Sequence, residues 1–194
     1  MFTINNMYEY TLEVNKSKFI GIIFKINSTD DFNEILDSIK IKYPKATHYT
    51  YAYRLIDYYK MSDDNEPSST AGAPIFNVIE SNNLYNTAIV VVRYFGGIKL
   101  GAGGLVRAYS KTASNLVNED RLKRLVEAVE VKITFNYDQS KVIDNILNNC
   151  NYQIINKEYL EDIIYHIIIS KDDLDKLNQY NLNIIKDTIL EINA

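Results

Sequence analysis

The chain has 194 residues, 46% of them hydrophobic, which allows one large domain or two small ones and a buried core. Its 21 basic and 25 acidic residues give a formal charge of −4, so bulk positive charge cannot drive adhesion to nucleic acid or anionic membrane. Seven Gly, three Pro, no Trp and a single Cys exclude collagenous and proline-rich classes, an intrachain disulfide and a multi-cysteine metal site. The N-terminus lacks the basic start and apolar stretch of a signal peptide, and no apolar run approaches the ~20 residues that span a bilayer. A cytoplasmic protein without membrane contact is expected.

In chain order, residues 8–14 and 18–26 read as a β-hairpin turned by Asn15-Lys16-Ser17. Ser28 or Asp30 can cap a helix whose apolar positions Phe32, Ile35, Leu36 and Ile39 recur at spacings of three and four, and Lys42-Tyr43-Pro44 ends it. Residues 48–55 alternate, with Tyr49, Tyr51 and Tyr53 on one face, as a strand with an aromatic core side. A dense polar loop follows from 57 to 74, then a short helix over 73–79. Residues 87–95 form a β-branched run of the kind that makes a fully buried central strand. Gly96, Gly97, Gly101, Gly103 and Gly104, five of the seven glycines, crowd the next nine residues, and a helix is expected from Leu105.

The second half reads as strand 125–135, helix 139–150, strands 152–159 and 163–170, helix 173–180 and strand 184–192. That β-α-β-β-α-β order is the ferredoxin-like plan. The polar seam Asn118-Glu119-Asp120-Arg121 places a boundary near residue 120, giving domains 1–120 and 121–194 in an α+β protein. Charge divides in the same way. Residues 1–118 carry 12 basic and 11 acidic side chains and the remainder 9 and 14. Residues 81–118 contain Arg93, Lys99, Arg107 and Lys111 and no acid, the one basic neighbourhood of the chain.

A buried strand entering a glycine-rich turn and then a helix can bind an anion, because free backbone N–H groups and the helix dipole face it and glycine lets phosphate oxygens approach. Lys99 sits in the turn, and Arg107 and Lys111 lie four residues apart on the helix. The pattern is neither a Walker loop nor a clean dinucleotide fingerprint, and the alternative is that the glycines serve only a tight turn and close packing. Asp63, Asp64 and Glu66 could hold Mg²⁺ through carboxylates and waters, pair with the basic segment, or simply form turns. His48, Ser68 and Thr70 are secondary candidates: the strand of His48 leads into the acidic loop, whereas the two hydroxyls lack an activating base nearby in sequence. His166 and Cys150 read as structural. Tyr94 and Tyr109 could stack on bases, but core packing is the favoured reading.

Three segments carry a resemblance: residues 16–21 (KSKFIG), 62–74 (SDDNEPSSTAGAP) and 91–109 (VVRYFGGIKLGAGGLVRAY). Together they resemble the IMPACT/YigZ family over essentially the whole chain. The resemblance implies an N-terminal domain with the left-handed βαβ fold of a ribosomal protein's second domain and of translational GTPases. It also implies a ferredoxin-like C-terminal domain similar to the last domain of elongation factor G. Asn65 and Ser69 stand where the family usually has Gly, and Thr50 where many members have Cys, which argues against a shared catalytic or metal-binding thiol there.

The leading expectation is a non-enzymatic, translation-associated regulatory protein. It would bind RNA or the ribosome through Arg93, Lys99, Arg107, Lys111 and the glycine amides, with a protein partner in translational control. The alternative is a Mg-dependent enzyme or a sensor of a phosphorylated small molecule bound on residues 96–104, with the metal bridged from Asp63, Asp64 and Glu66. A third reading is a protein-interaction module that uses the ferredoxin-like sheet.

Overall fold

A computed structural model describes residues 1–193. The chain forms two compact mixed α/β units that divide between Lys123 and Arg124, three residues beyond the seam at residue 120. No helix among the described residues is long and apolar enough to cross a membrane.

Unit 1 is built on a five-stranded sheet. Strand β1 (Phe2–Ile4) lies outside it, alongside Leu84. Strands β2 (Tyr8–Val14) and β3 (Ser17–Lys25) form the expected hairpin, and Asn15 and Lys16 turn it with φ of 47° and 63°. Helix α1 (Thr29–Lys42) is capped by Ser28, whose hydroxyl accepts from the Asp31 N–H. Strand β4 (His48–Arg54) pairs with β5 (Tyr59–Ser62), then come α2 (Gly72–Ser81), β6 (Thr87–Tyr94) and α3 (Gly101–Ser114). The sheet order is β2-β3-β6-β4-β5. Because β3 and β4 are each antiparallel to β6, they are parallel to each other, and α1 makes the crossover with β6 inserted between them.

Strand β6 is buried on both faces, as its unbroken apolar run requires. Ala88, Val90 and Val92 join Ile20, Ile22, Phe24 and Tyr53 under α1, through Phe32, Leu36 and Ile39. Ile89 and Val91 join Phe19, Ile23 and Ala52 under α2 and α3, through Ile75, Ile79, Leu105 and Tyr109. The tyrosine face of β4 packs toward α1, so these rings are core, as their period-two spacing predicts.

Unit 2 contains β7 (Leu122–Phe135), α4 (Ser140–Leu147), β8 (Tyr152–Tyr159), β9 (Ile163–Ser170), a single-turn α5 (Lys171–Leu174) and β10 (Asn181–Asn193). The order of elements is that expected. In its sheet β7 pairs with both β9 and β10, and β9 pairs with β8, with Val131, Ile133, Tyr165 and Ile167 packed against Ile143 and Leu147 of α4.

The structure departs from the sequence expectation in four places. Strands β1 and β5 are additional, because three- and four-residue edge segments carry too few positions to show a period. The second helix of unit 2 shrinks to one α-turn followed by a 3₁₀ turn over residues 175–177. Helix α3 begins at Gly101, not Leu105. Gly101, Gly103 and Gly104 therefore form its first turn.

Candidate functional site

The strands converge at one end of the unit 1 sheet. His48, the first residue of β4, sits in register opposite Arg93 near the end of β6. The chain leaving β6 is pinned from both sides: the Phe95 N–H donates to Thr47 Oγ1 at 3.0 Å and the Gly96 N–H to Ser17 Oγ at 3.1 Å. A Cβ on Gly96 would lie 2.0 Å from the Lys16 carbonyl carbon, so glycine is required where this exit crosses the β2–β3 turn. Gly97 and Gly101 take φ of +85° and +69°, left-handed geometry that glycine adopts without strain.

The acidic loop is held together by its own carboxylates. Asp63 accepts from the N–H groups of Ser69, Ala71 and Gly72 at 2.8, 3.0 and 2.9 Å and so caps the start of α2. Burial raises its carboxyl, but those donors outweigh it and hold the group below the usual carboxylate range. Asp64 accepts from the Tyr49 N–H at 2.6 Å, and its carbonyl lies 2.7 Å from His48 Nδ1. Thr70, buried, donates to the Pro67 carbonyl at 2.6 Å, while Ser68 is exposed. Asp64, Asn65 and Ser69 take φ of 41°, 67° and 61°. Two of these, Asn65 and Ser69, are the positions where glycine is usual in the resemblance, so the loop keeps a left-handed backbone with non-glycine residues there.

Glu66 reaches inward. Arg93 Nη1 donates to its Oε1 at 2.5 Å, Tyr109 donates to the same oxygen at 2.7 Å, and His48 Nε2 lies 3.7 Å from it. The ion pair is buried, with side-chain exposures of 6% for Arg93 and 3% for Glu66. Arg93 Nε has no hydrogen-bond partner. Burial first, then the hydrogen bond and charge of Glu66, push the Tyr109 hydroxyl strongly upward, so it remains a donor. Removing one partner of such a pair costs roughly 3–5 kcal/mol.

A groove of about 410 Å³ opens above this pair, floored by Arg93, Glu66 and His48 and walled by Pro67, Phe95, Lys99 and the first turn of α3. That turn has no side-chain cap at Leu100 and no acidic residue, which leaves its N–H groups and the positive end of the helix dipole open. On the other side of α3 a second groove of about 320 Å³ is lined by Glu13, Asn15, Leu100, Gly104, Arg107 and Lys111.

The basic neighbourhood thus resolves into parts. Arg93 is interior and committed to Glu66. Lys99 lines the first groove and Arg107 and Lys111 the second; all three are exposed, and none forms an ion pair among the described residues. Asp63 and Asp64 are committed to backbone donors, and no group of three or more His, Cys, Asp or Glu suited to a metal occurs among the described residues. His48 does join the site, whereas Ser68 and Thr70 do not line either groove. Tyr109 is core and bonds Glu66. In unit 2, His166 pairs with Glu130 at 2.8 Å, and burial and the nearby Asp173 raise the Cys150 thiol, which keeps it protonated.

Fold and site together define a two-unit α/β protein whose first unit presents an uncapped, glycine-built helix start beside a buried ion pair. The family model described as Impact N-terminal domain matches residues 15–117. IMPACT family member YvyE of Bacillus subtilis is 31% identical over 187 residues, 92% of this chain and 84% of its own. YigZ of Escherichia coli is 28% identical over 162 residues, 81% of this chain and 79% of its own. A crystal structure of a hypothetical protein, 24% identical and covering 95% of both chains, superposes with a TM-score of 0.65 and so shares the fold. The chain belongs to the IMPACT family.

Proposed function

We propose that this protein acts in translation as a non-enzymatic RNA- or ribosome-binding protein, using the face around the start of α3. The observation that carries this reading is that the three free cations are shared between two grooves on either side of one helix start. A small phosphorylated molecule fills one groove and leaves the other's cations without a role. A nucleic-acid strand crossing α3 places successive phosphates on Lys99, on the open amides of the first turn, and on Arg107 and Lys111. Of the carboxylates needed to bridge Mg²⁺ in the rival, enzymatic reading, Asp63 and Asp64 accept from backbone N–H groups and Glu66 pairs with Arg93.

The pairing of β7 with β9 and β10, and of β9 with β8, suits a ferredoxin-like sandwich, and the β3–α1–β4 crossover suits the βαβ unit found in a ribosomal protein and in translational GTPases. This is support by fold analogy. It favours a translational setting, the cytoplasm, and a protein partner in that setting. Co-sedimentation with ribosomes from a lysate tests the reading. The wild type is expected to pellet at low salt and to be released at high salt, while the Lys99→Ala/Arg107→Ala variant stays in the supernatant at both. Failure of the wild type to pellet at low salt contradicts it.

A further inference from the structure

The first groove holds more than an anion site, because its floor carries hydrogen-bond acceptors that the fold does not use. Both hydrogen-bond donors to the Glu66 carboxylate, Arg93 and Tyr109, converge on Oε1. Among the described residues nothing donates to Oε2, although the side chain is only 3% exposed. The side-chain polar atoms of the described residues sealed in the interior without a partner are Tyr53 Oη and Arg93 Nε, not this oxygen; Glu66 lines the groove, where Oε2 meets solvent and is open to a donor from a ligand. His48 supplies a second acceptor. Its Nδ1 lies 2.7 Å from the Asp64 carbonyl, which can only accept, so in the neutral ring Nδ1 carries the proton and Nε2 presents its lone pair. Phe95, 45% exposed, offers an aromatic face in the same groove, and Lys99 and the uncapped turn of α3 supply the anion-binding end. A volume of about 410 Å³ lies at the small end of the ligand-pocket range of roughly 300–1,000 Å³.

Two neighbouring acceptors select a base edge with two neighbouring donors. Guanine, through N1–H and its 2-amino group, has such an edge; adenine and cytosine each pair a donor with an acceptor, and uracil has a single N–H between two carbonyls. We propose that this groove is a guanine-nucleotide pocket in which Glu66 Oε2 and His48 Nε2 accept from the base edge, Phe95 stacks on the ring, and Lys99 with the first-turn amides of α3 binds the phosphate. Arg93 acts here as a positioning residue, neutralising Glu66 and fixing which oxygen is free. The pocket rests on the RNA reading above and adds base selectivity to it: one guanosine is read in the first groove while the second groove takes a flanking phosphate.

The test is fluorescence anisotropy on the full chain with a 12-nucleotide uridine RNA and the same RNA carrying one central guanosine or adenosine, followed by competition with free GMP and AMP. The guanosine strand is expected to bind roughly fivefold to a hundredfold more tightly than the other two, with GMP the better competitor. Glu66→Gln, which replaces the free acceptor by a donor, is expected to bring the guanosine and adenosine strands to equal affinity. Equal binding of all strands and both nucleotides by the wild type overturns the pocket and leaves the RNA reading standing. Direct binding of GMP over AMP with no binding of any strand supports the pocket as a free-nucleotide site and overturns the RNA reading. No binding of strands or nucleotides overturns both. If Glu66→Gln fails to fold, Phe95→Ala, at an exposed ring, decides: a weakened guanosine strand supports the pocket, and undiminished affinity overturns it.

Discussion

At the scale of single residues, Asp63 and Asp173 serve as acceptors for the chain's own backbone. Asp63 takes three N–H groups from the start of α2, and Asp173 in unit 2 does similar work. Burial raises the Asp173 carboxyl, but the Asn151 N–H, the Lys176 ammonium and the Ser170 hydroxyl bring it down to about 2. Since a carboxyl depressed in the folded state stabilises it above the unfolded value and ceases to do so as pH falls through the folded one, this contribution is complete above about pH 4 and lost toward pH 2. Urea unfolding at pH 5, 3 and 2 is expected to show a steep loss for the wild type and a shallower one for Asp173→Asn, which begins less stable at pH 5. Parallel pH dependences of the two proteins contradict the assignment. Arg93 shows the limit of what the sequence makes legible at this scale. Its place in an acid-free segment suggests a surface cation, and only the register of β4 on β6 and the reach of a loop 27 residues away turn it inward onto Glu66.

At the scale of elements, period and composition carry most of the fold. The alternation in β4, the continuous run in β6 and the capped amphipathic α1 are each readable because one buried face dictates the residue pattern. The beginning of α3 is not readable, because glycines score against a helix and here three of them build its first turn, Gly101 with a left-handed φ of +69°. The glycines also differ among themselves in a testable way. Gly96→Ala would drive a Cβ into the Lys16–Ser17 backbone, whereas Gly103→Ala meets nothing nearer than Arg107 Nη1 at 3.5 Å. In thermal unfolding, Gly96→Ala is expected to lose several kcal/mol or fail to fold. Gly103→Ala is expected to be neutral or to gain up to about 1 kcal/mol from helix propensity. Equal, small effects at both positions would mean that Gly96 is not tightly crossed by the β2–β3 turn.

At the scale of the molecule, the negative formal charge conceals a local arrangement. Three free cations stand on either side of one helix start, while Asp63, Asp64 and Glu66 of the neighbouring loop are engaged. The candidate site was legible as a glycine-rich basic segment and an acidic loop. Its division into two grooves, and the pairing of Glu66 with Arg93, depend on long-range packing that no local pattern encodes. The central claim is that Lys99, Arg107 and Lys111 contact phosphates together, and it is tested most directly by the salt dependence of binding to a single-stranded RNA. With about 0.7 counterions released per phosphate contact, the logarithm of the binding constant should fall with the logarithm of salt concentration with a slope of about −2 for the wild type and about −0.7 for Lys99→Ala/Arg107→Ala. Equal slopes for the two proteins would contradict the account.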